Sequence, residues 1–405
     1  MSLYGMLRTG GSGMNAQANK LGTVAENIAN ANTTGYKRAS TEFSSMILPS
    51  SGGAYNSGGV QTSVRYAISE QGASTYTTSA SDLAIDGEGF FVVQGAKEKF
   101  LTRAGSFVID GDGYFKNAAG YTLTGKAYQE GVEPPIVING LDDLVPIKMD
   151  SGELRAVGST TGAIGSNLPN DAVVGAEYTT SLVVYDTQGN TRFLDFVYEK
   201  TSPNNWSVEV RDRVGYAANP ATGVIGTAAL VFDATGALTA PVTVTTTAIA
   251  GLSTGANLNA LTIDLGKTTQ LGYAFNPDGG TIDGSKPSKV SGYQISKDGI
   301  IYVKYEDGTL DPKFRIGMAS VRSPDNLVPQ SGNVYSQGVD SGVIVAGVAG
   351  SGNFGEILSG ALEGSNVDIA AELTAMIESQ RSYTANSKVF QTGADLLDVL
   401  VNLKR

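Results

Sequence analysis

Apolar residues recur at alternating three- and four-residue steps at the two ends of this chain. From Tyr4 the steps fall on Leu7, Gly11, Met14, Ala18, Leu21, Ala25 and Ile28. Near the other end they fall on Leu373, Met376, Gln380, Tyr383, Ser387, Phe390, Ala394, Leu397 and Val401. That spacing is a coiled-coil seam and predicts a helix at each end. Gly10, Gly11 and Gly13 interrupt the first seam. Ser365 with Asp368 three residues on has the form of a capping box, so the last helix is expected over 366–402, a rod of about 55 Å. Asn27 and Asn30, at the end of the first seam, can cap helix carbonyls and bond to neighbours.

The interior alternates with period two, as strands do. Leu83–Asp86 and Phe90–Val93 flank a Gly87-Glu88-Gly89 turn. Ser106–Ile109 and Tyr114–Phe115 flank Asp110-Gly111-Asp112-Gly113, which has hairpin-turn chemistry. Ser181–Tyr185 and Phe193–Tyr198 form another hairpin around Asp186–Asn190. Trp206–Val210, Ala229–Phe232 and Ile300–Tyr305 read as further strands. Residues 214–266 carry only Asp233 and Asp264 as charges and are either a neutral β insertion or a loop region. The expected fold is mainly β with α-helical ends: nested β-barrel or sandwich domains plus a coiled coil of the N- and C-terminal helices. The expected layout is a helical core (1–34 and 365–405), a connector (35–71 and 359–364), a first β-domain (72–144 and 285–358) and an inserted outer β-domain (145–284).

Composition narrows the chemistry. The 405 residues include no Cys and no His. Disulfides, thiolate nucleophiles, Cys-based zinc sites and imidazole acid–base catalysis are therefore excluded. Formal net charge is −11, which opposes a nucleic-acid partner because phosphate binding needs a positive field. The charge is uneven: +3 over residues 1–40, −1 over 366–405, and −13 between them. Charged residues make up 17%, against about 25% in typical domains, so surfaces rich in Ser, Thr, Asn and Gly are expected. No segment reaches the roughly 18 apolar residues a membrane span needs. The opening residues lack a basic segment followed by an apolar run, so no secretory leader is expected and any export would use another route.

Several motifs fail on mechanism. Gly251-Leu252-Ser253-Thr254-Gly255 matches a nucleophile elbow, but no His is available as base. Gly350-Ser351-Gly352-Asn353-Phe354-Gly355 has dinucleotide-loop spacing, yet Gly360 and Gly364 would interrupt the helix it requires. Gly266-Lys267-Thr268 lacks the first glycine of a phosphate loop. Asp110 and Asp112 lack the remaining calcium ligands. Asp82, Asp86 and Glu88 sit at turns, where such residues are expected without catalysis. No catalytic, cofactor or metal site is expected.

One constellation remains: Glu26-Asn27-Ile28-Ala29-Asn30-Ala31-Asn32-Thr33-Thr34-Gly35-Tyr36-Lys37. Gly35 suits a helix C-terminal cap. This stretch resembles the N-terminal signature of the bacterial flagellar rod–hook axial family, through Asn32, Thr33, Gly35, Tyr36 and Lys37. The resemblance continues in Asp82–Phe91, with Asp86, Gly87, Gly89 and Phe90, and in Arg103-Ala104-Gly105-Ser106-Phe107. It returns in Gly350–Gly355, Gly360–Asp368 and Gln380–Asn386. Val184–Asn190, Asn205–Val208 and Asp264–Gln270 are similar to the middle domain of the hook members, which the shorter rod members lack.

The resemblance implies a hook subunit that polymerises with copies of itself into a curved tube. That tube acts as a universal joint carrying torque from rod to filament. It implies rod proteins, a hook cap, a length ruler and hook–filament junction proteins as partners. It also implies export without a cleaved leader to the outside of the cell, with no membrane insertion. The expected assembly surface comprises Leu7, Met14, Leu21, Asn27, Ile28 and Asn30 of the first helix. The last helix adds Leu373, Met376, Tyr383, Phe390, Leu397 and Val401. One copy is not expected to satisfy both seams, so the terminal helices are expected to order on polymerisation. The alternatives are a distal-rod subunit, a secreted β-rich adhesin and a carboxylate glycosidase.

Overall fold

A computed structural model describes residues 3–47, 57–96, 98–128, 140–149 and 154–402. The fold is mainly β, with four α-helices among the described residues: α1 (Leu3–Ala29), α2 (Arg213–Ala218), α3 (Pro220–Gly223) and α4 (Ile369–Asn402). The chain divides into two compact units. One comprises Met1–Ser151, Gly292–Lys304 and Leu310–Arg405; the other comprises Gly152–Ser291 and Tyr305–Thr309.

In the first unit, α1 and α4 run antiparallel in contact. Leu7 lies against Gly393, and Gly13 lies against Asn386. The glycine run leaves α1 unbroken and lets α4 approach closely. A Cβ on Gly13 would stand 2.8 Å from Asn386 Nδ2, and one on Gly393 would stand 3.0 Å from Leu7 Cδ2. Inside that run, the Ser12 hydroxyl donates to Thr9 O (3.2 Å) and accepts from Val60 N (3.1 Å). Helix α4 starts at Ile369, three residues later than the spacing suggested. The cap is Asp368, whose carboxylate accepts from Ala370 N at 2.8 Å. Its 34 residues make a rod of about 51 Å.

Much of the expected connector is an antiparallel ribbon, Ala39–Ile47 with Ser57–Tyr66, in register Ala39↔Tyr66 to Ser45↔Val60. It packs on α1 through polar contacts: Asn19 Nδ2 donates to Thr62 Oγ1, and the Thr23 and Thr41 hydroxyls meet at 2.9 Å. Both terminal segments are helical in this structure, and α1 has two neighbours inside its own chain, α4 and the ribbon.

The β part of this unit is an antiparallel sheet whose central path is Leu310–Ile316, Thr122–Ala127, Phe90–Gln94, Lys99–Thr102, Val334–Ser336 and Val328–Gln330. Ile68, Phe90, Val92, Leu101, Leu327 and Tyr335 share a core below it. Two late strands return to early ones: Glu356–Ser359 pairs with Leu83–Asp86, and Ala361–Glu363 pairs with Ser74–Tyr76. Val145–Pro146 pairs with Thr124 and Gly125, and Met149 N donates to Gly113 O. Residues 145–149 therefore lie in the first unit, and 285–291 lie in the second.

The second unit is built on a five-stranded antiparallel sheet: Glu177–Tyr185, Thr191–Ser202, Asn205–Asp212, Val224–Phe232 and Leu238–Ala240. Two of its smaller sheets each contain one parallel pair, Thr161–Ala163 with Thr262–Asp264 and Ser166–Pro169 with Thr269–Leu271. Trp206, Tyr198, Phe196, Leu230, Ile263 and Leu265 share the core. The neutral stretch 214–266 is therefore a β insertion. Its two short helices were not expected. Asp212 caps α2, Asn219 caps α3 and Pro220 opens α3, which is local chemistry that favours a helix start.

Candidate functional site

The seam expected on α1 is not its most buried face. The buried α1 residues are Gly10, Ala16, Thr23, Val24 and Asn27, whereas Leu7, Met14, Leu21 and Ile28 are half-buried. The rotation follows from α1 having α4 on one side and the ribbon on another. Phe390 runs beside Gly10. On α4, Met376 and Leu397 are half-buried, while Leu373, Tyr383 and Phe390 are exposed. Val401 lies in α4, with its side chain outside the described residues. Ile369, Ile377, Val389, Leu396 and Val399 are exposed as well. Helix α4 therefore presents large apolar side chains to solvent along most of its length, although burying one is worth about 1.5–3 kcal/mol.

Beneath the helices, the signature residues form a polar junction. Asn27 is buried and closes a ring with Ala39: its Nδ2 donates to Ala39 O (2.7 Å), and Ala39 N donates to its Oδ1 (2.9 Å). Tyr36 OH donates to the same Oδ1 at 3.2 Å. Burial, with Glu26 nearby, pushes the Tyr36 phenol well above its ordinary value. Asn30 donates to Glu26 O (2.9 Å) and accepts from the Thr33 hydroxyl (3.2 Å), ending the helix. Asn32 is exposed. Gly35 has φ +68°, and a Cβ there would stand 2.5 Å from Ala104 N. Only glycine fits such a place without strain. Its N–H donates to Glu363 O at 2.8 Å.

Glu363 is the centre of this junction. It is fully buried. Its Oε1 meets Lys37 Nζ at 2.6 Å and Gly72 N at 3.0 Å, and its Oε2 meets Arg103 Nη1 at 3.2 Å. Two buried cations thus share one buried carboxylate. The second cation is accommodated by carbonyls and a ring. Lys37 also donates to Glu70 O, Arg103 Nη2 donates to Gly87 O, and the Arg103 guanidinium lies 5.2 Å from the Phe90 ring centre. Burial holds both Lys37 and Arg103 below their ordinary values, against the pull of Glu363. Alongside, Arg38 Nε pairs with Glu372 of α4 at 2.6 Å, and Arg38 N donates to Asn366 Oδ1. Gly87 and Gly89 take φ of +114° and +117° in the turn before Phe90, and Asp86 is exposed at its strand end. The signature residues were expected; their convergence on Glu363 was not. Lys37 and Glu363 are 326 positions apart, and no local pattern announces such a pair.

The rejected motifs have structural roles. Gly350–Gly355 is a turn folding back on Glu88, with Gly355 N donating to Glu88 O. Asp110 accepts from the backbone of Asp112 and Tyr114 and pairs with Lys116 at 2.6 Å. Gly251–Gly255 is a turn in which Gly255 N donates to Leu252 O. Asp82 accepts from the Thr77 hydroxyl. Among the described residues, no helix is long and apolar enough to cross a membrane.

Comparison with known proteins first defines the class. Residues 7–37 match the flagella basal body rod protein family, and 358–403 match the flagellar basal body rod FlgEFG protein C-terminal family. Residues 84–159 match the flagellar hook protein FlgE/F/G D1 domain, and 159–285 match the flagellar basal body protein FlaE D2 domain. This is the pattern of a flagellar axial protein. The chain is 66% identical over its whole length to flagellar hook protein FlgE of Rhizobium meliloti (strain 1021), itself covered completely. It is 47% identical, again with full coverage of both, to flagellar hook protein FlgE of Brucella abortus biovar 1. A crystal structure of Helicobacter pylori flagellar hook protein FlgE2 aligns over 70% of this chain and 98% of its own, with 16% identity and a TM-score of 0.49. The chain belongs to the flagellar hook protein family. It is a structural subunit of the hook, a part of the flagellum that extends outside the cell and is built by polymerisation with other flagellar components. The rod, adhesin and glycosidase alternatives are not favoured.

Proposed function

We propose that this chain assembles head to tail with its own copies through α1 and α4, forming a curved tube that carries torque between rod and filament. The observation that supports this is the set of large apolar side chains of α4, including Leu373, Ile377 and Val399, left exposed by its own chain. Leu7, Met14, Leu21 and Ile28 of α1, with Met376, Tyr383, Leu397 and Val401 of α4, complete the proposed surface. Heterologous contacts of this kind do not close on themselves, so they generate an open helical filament. The acidic interior of the sequence keeps exported subunits apart by self-repulsion.

On this reading the subunit has no catalytic role. It leaves the cell unfolded through the flagellar export apparatus. It meets rod proteins, a hook cap, a length ruler and hook–filament junction proteins. Purified full-length chain should form curved tubes under electron microscopy. A chain lacking residues 1–30 and 366–405 should form none while keeping β-type circular dichroism. Tubes from the shortened chain would overturn the proposal.

A further inference from the structure

The Glu363 junction carries an asymmetry. Lys37 lies on the segment leaving α1, and Arg103 lies in the β part of the same unit. Both reach one carboxylate on the segment leading into α4. The carboxylate is shared by both cations, one on each oxygen. Arg103 alone balances its charge and holds Gly87 O and the Phe90 face as well. Both cations are buried at a desolvation cost, and one of the two positive charges is in excess of the single carboxylate. Removing one partner of a buried ion pair is costly when it leaves the other charge uncompensated, but without Lys37 the Glu363 carboxylate still has Arg103 as its counter-charge.

We propose that Lys37 is a positioning residue. Through Glu363 and Glu70 O it clamps the exit of α1 to the β part of the unit, so the two turn together when the hook is twisted. The clamp lies in a dense bonded patch: Gly35 N on Glu363 O, Arg38 N on Asn366 Oδ1, Asn366 Nδ2 on Ala67 O, and Asn333 Nδ2 on Thr34 O. The junction is then a stiff part of the joint, and compliance resides elsewhere. The mechanical consequence rests on the hook reading above; the local clamp does not.

The test compares full-length parent, Lys37→Met, Lys37→Arg and Glu363→Gln. Glu363→Gln leaves two cations buried without a counter-charge and should lower the melting temperature by about 10 °C. Lys37→Met should melt within about 4 °C of the parent. Its Gly35 and Arg38 amides should nevertheless exchange hydrogen about tenfold faster in the unpolymerised chain. Lys37→Arg should restore the parent's exchange. In assembled hooks, Lys37→Met should twist further than the parent under the same load. Unchanged exchange in Lys37→Met, or a melting temperature as low as that of Glu363→Gln, would overturn the proposal. The exchange measurement needs no polymer, so failure of the parent to form hooks would count against the hook reading and not against the clamp.

Discussion

In the second unit, the strand Asn205–Asp212 sends Trp206, Val208 and Val210 inward, all at most 1% exposed. In α4, Leu373 and Ile377 are 47% and 52% exposed, one turn apart on the same helix. Apolar residues of the same kinds are satisfied by the chain in one region and left open in the other. A strand buries one face as soon as a second layer covers it, whereas a helix with one antiparallel neighbour covers only part of its circumference. The first arrangement covers its apolar face within the unit; the second leaves apolar side chains uncovered, which the proposed assembly would bury against another copy.

That contrast can be broken at its strongest point by changing Leu373 and Ile377 together to Asp. Assembly should fall by about a hundredfold or more, since two side chains lose burial worth about 1.5–3 kcal/mol each. Sedimentation and electron microscopy would read this, and melting of the second unit should not change. The converse experiment is Trp206→Ala. It should cost the second unit about 3–5 kcal/mol, seen as early loss of amide protection over 177–240, while hydrogen exchange in α1 and α4 keeps its parent pattern.

Gly35→Ala should cost the first unit about 1–3 kcal/mol through its left-handed backbone, measured by urea denaturation. The smallest effect is expected in acid. The hydrogen bond from Arg213 holds the Asp195 carboxyl below its ordinary value. Burial alone would raise Asp186, but hydrogen bonds from Asn190 and Gln188 outweigh it and hold this carboxyl low too. Folded values below the unfolded value of about 3.9 add stability that is complete above it and disappears as pH falls through the folded values. Fluorescence of Trp206, the single Trp of the chain, should report the second unit loosening as the pH drops below about 4.

Turns and caps were legible because their causes lie within a few residues. Asp186 accepts from Gln188 N and Asn190 N, and Asp110 accepts from Asp112 N and Tyr114 N. In both, the bonding groups are already neighbours in sequence. The start of α4 was misplaced because Ser365 and Asp368 both offer a capping oxygen, and only Asp368 is followed directly by helical backbone. The seam on α1 was legible as a periodicity, but not its rotation. A heptad count assumes one partner, and α1 has α4 through Gly13 and the ribbon through Ser12, Asn19 and Thr23.

From the order of residues alone come the helical ends, the β interior, the tight turns, the absence of thiol and imidazole chemistry and the kinship carried by Asn32 to Lys37. Each follows from interactions spanning a few positions or from composition. Only the folded chain shows that Lys37, Arg103 and Glu363 share one buried site, and that α4 keeps an apolar face free. Both depend on how distant segments return to one another. That return depends on the strand pairings of Ser74–Tyr76 with Ala361–Glu363 and of Leu83–Asp86 with Glu356–Ser359, across nearly three hundred residues.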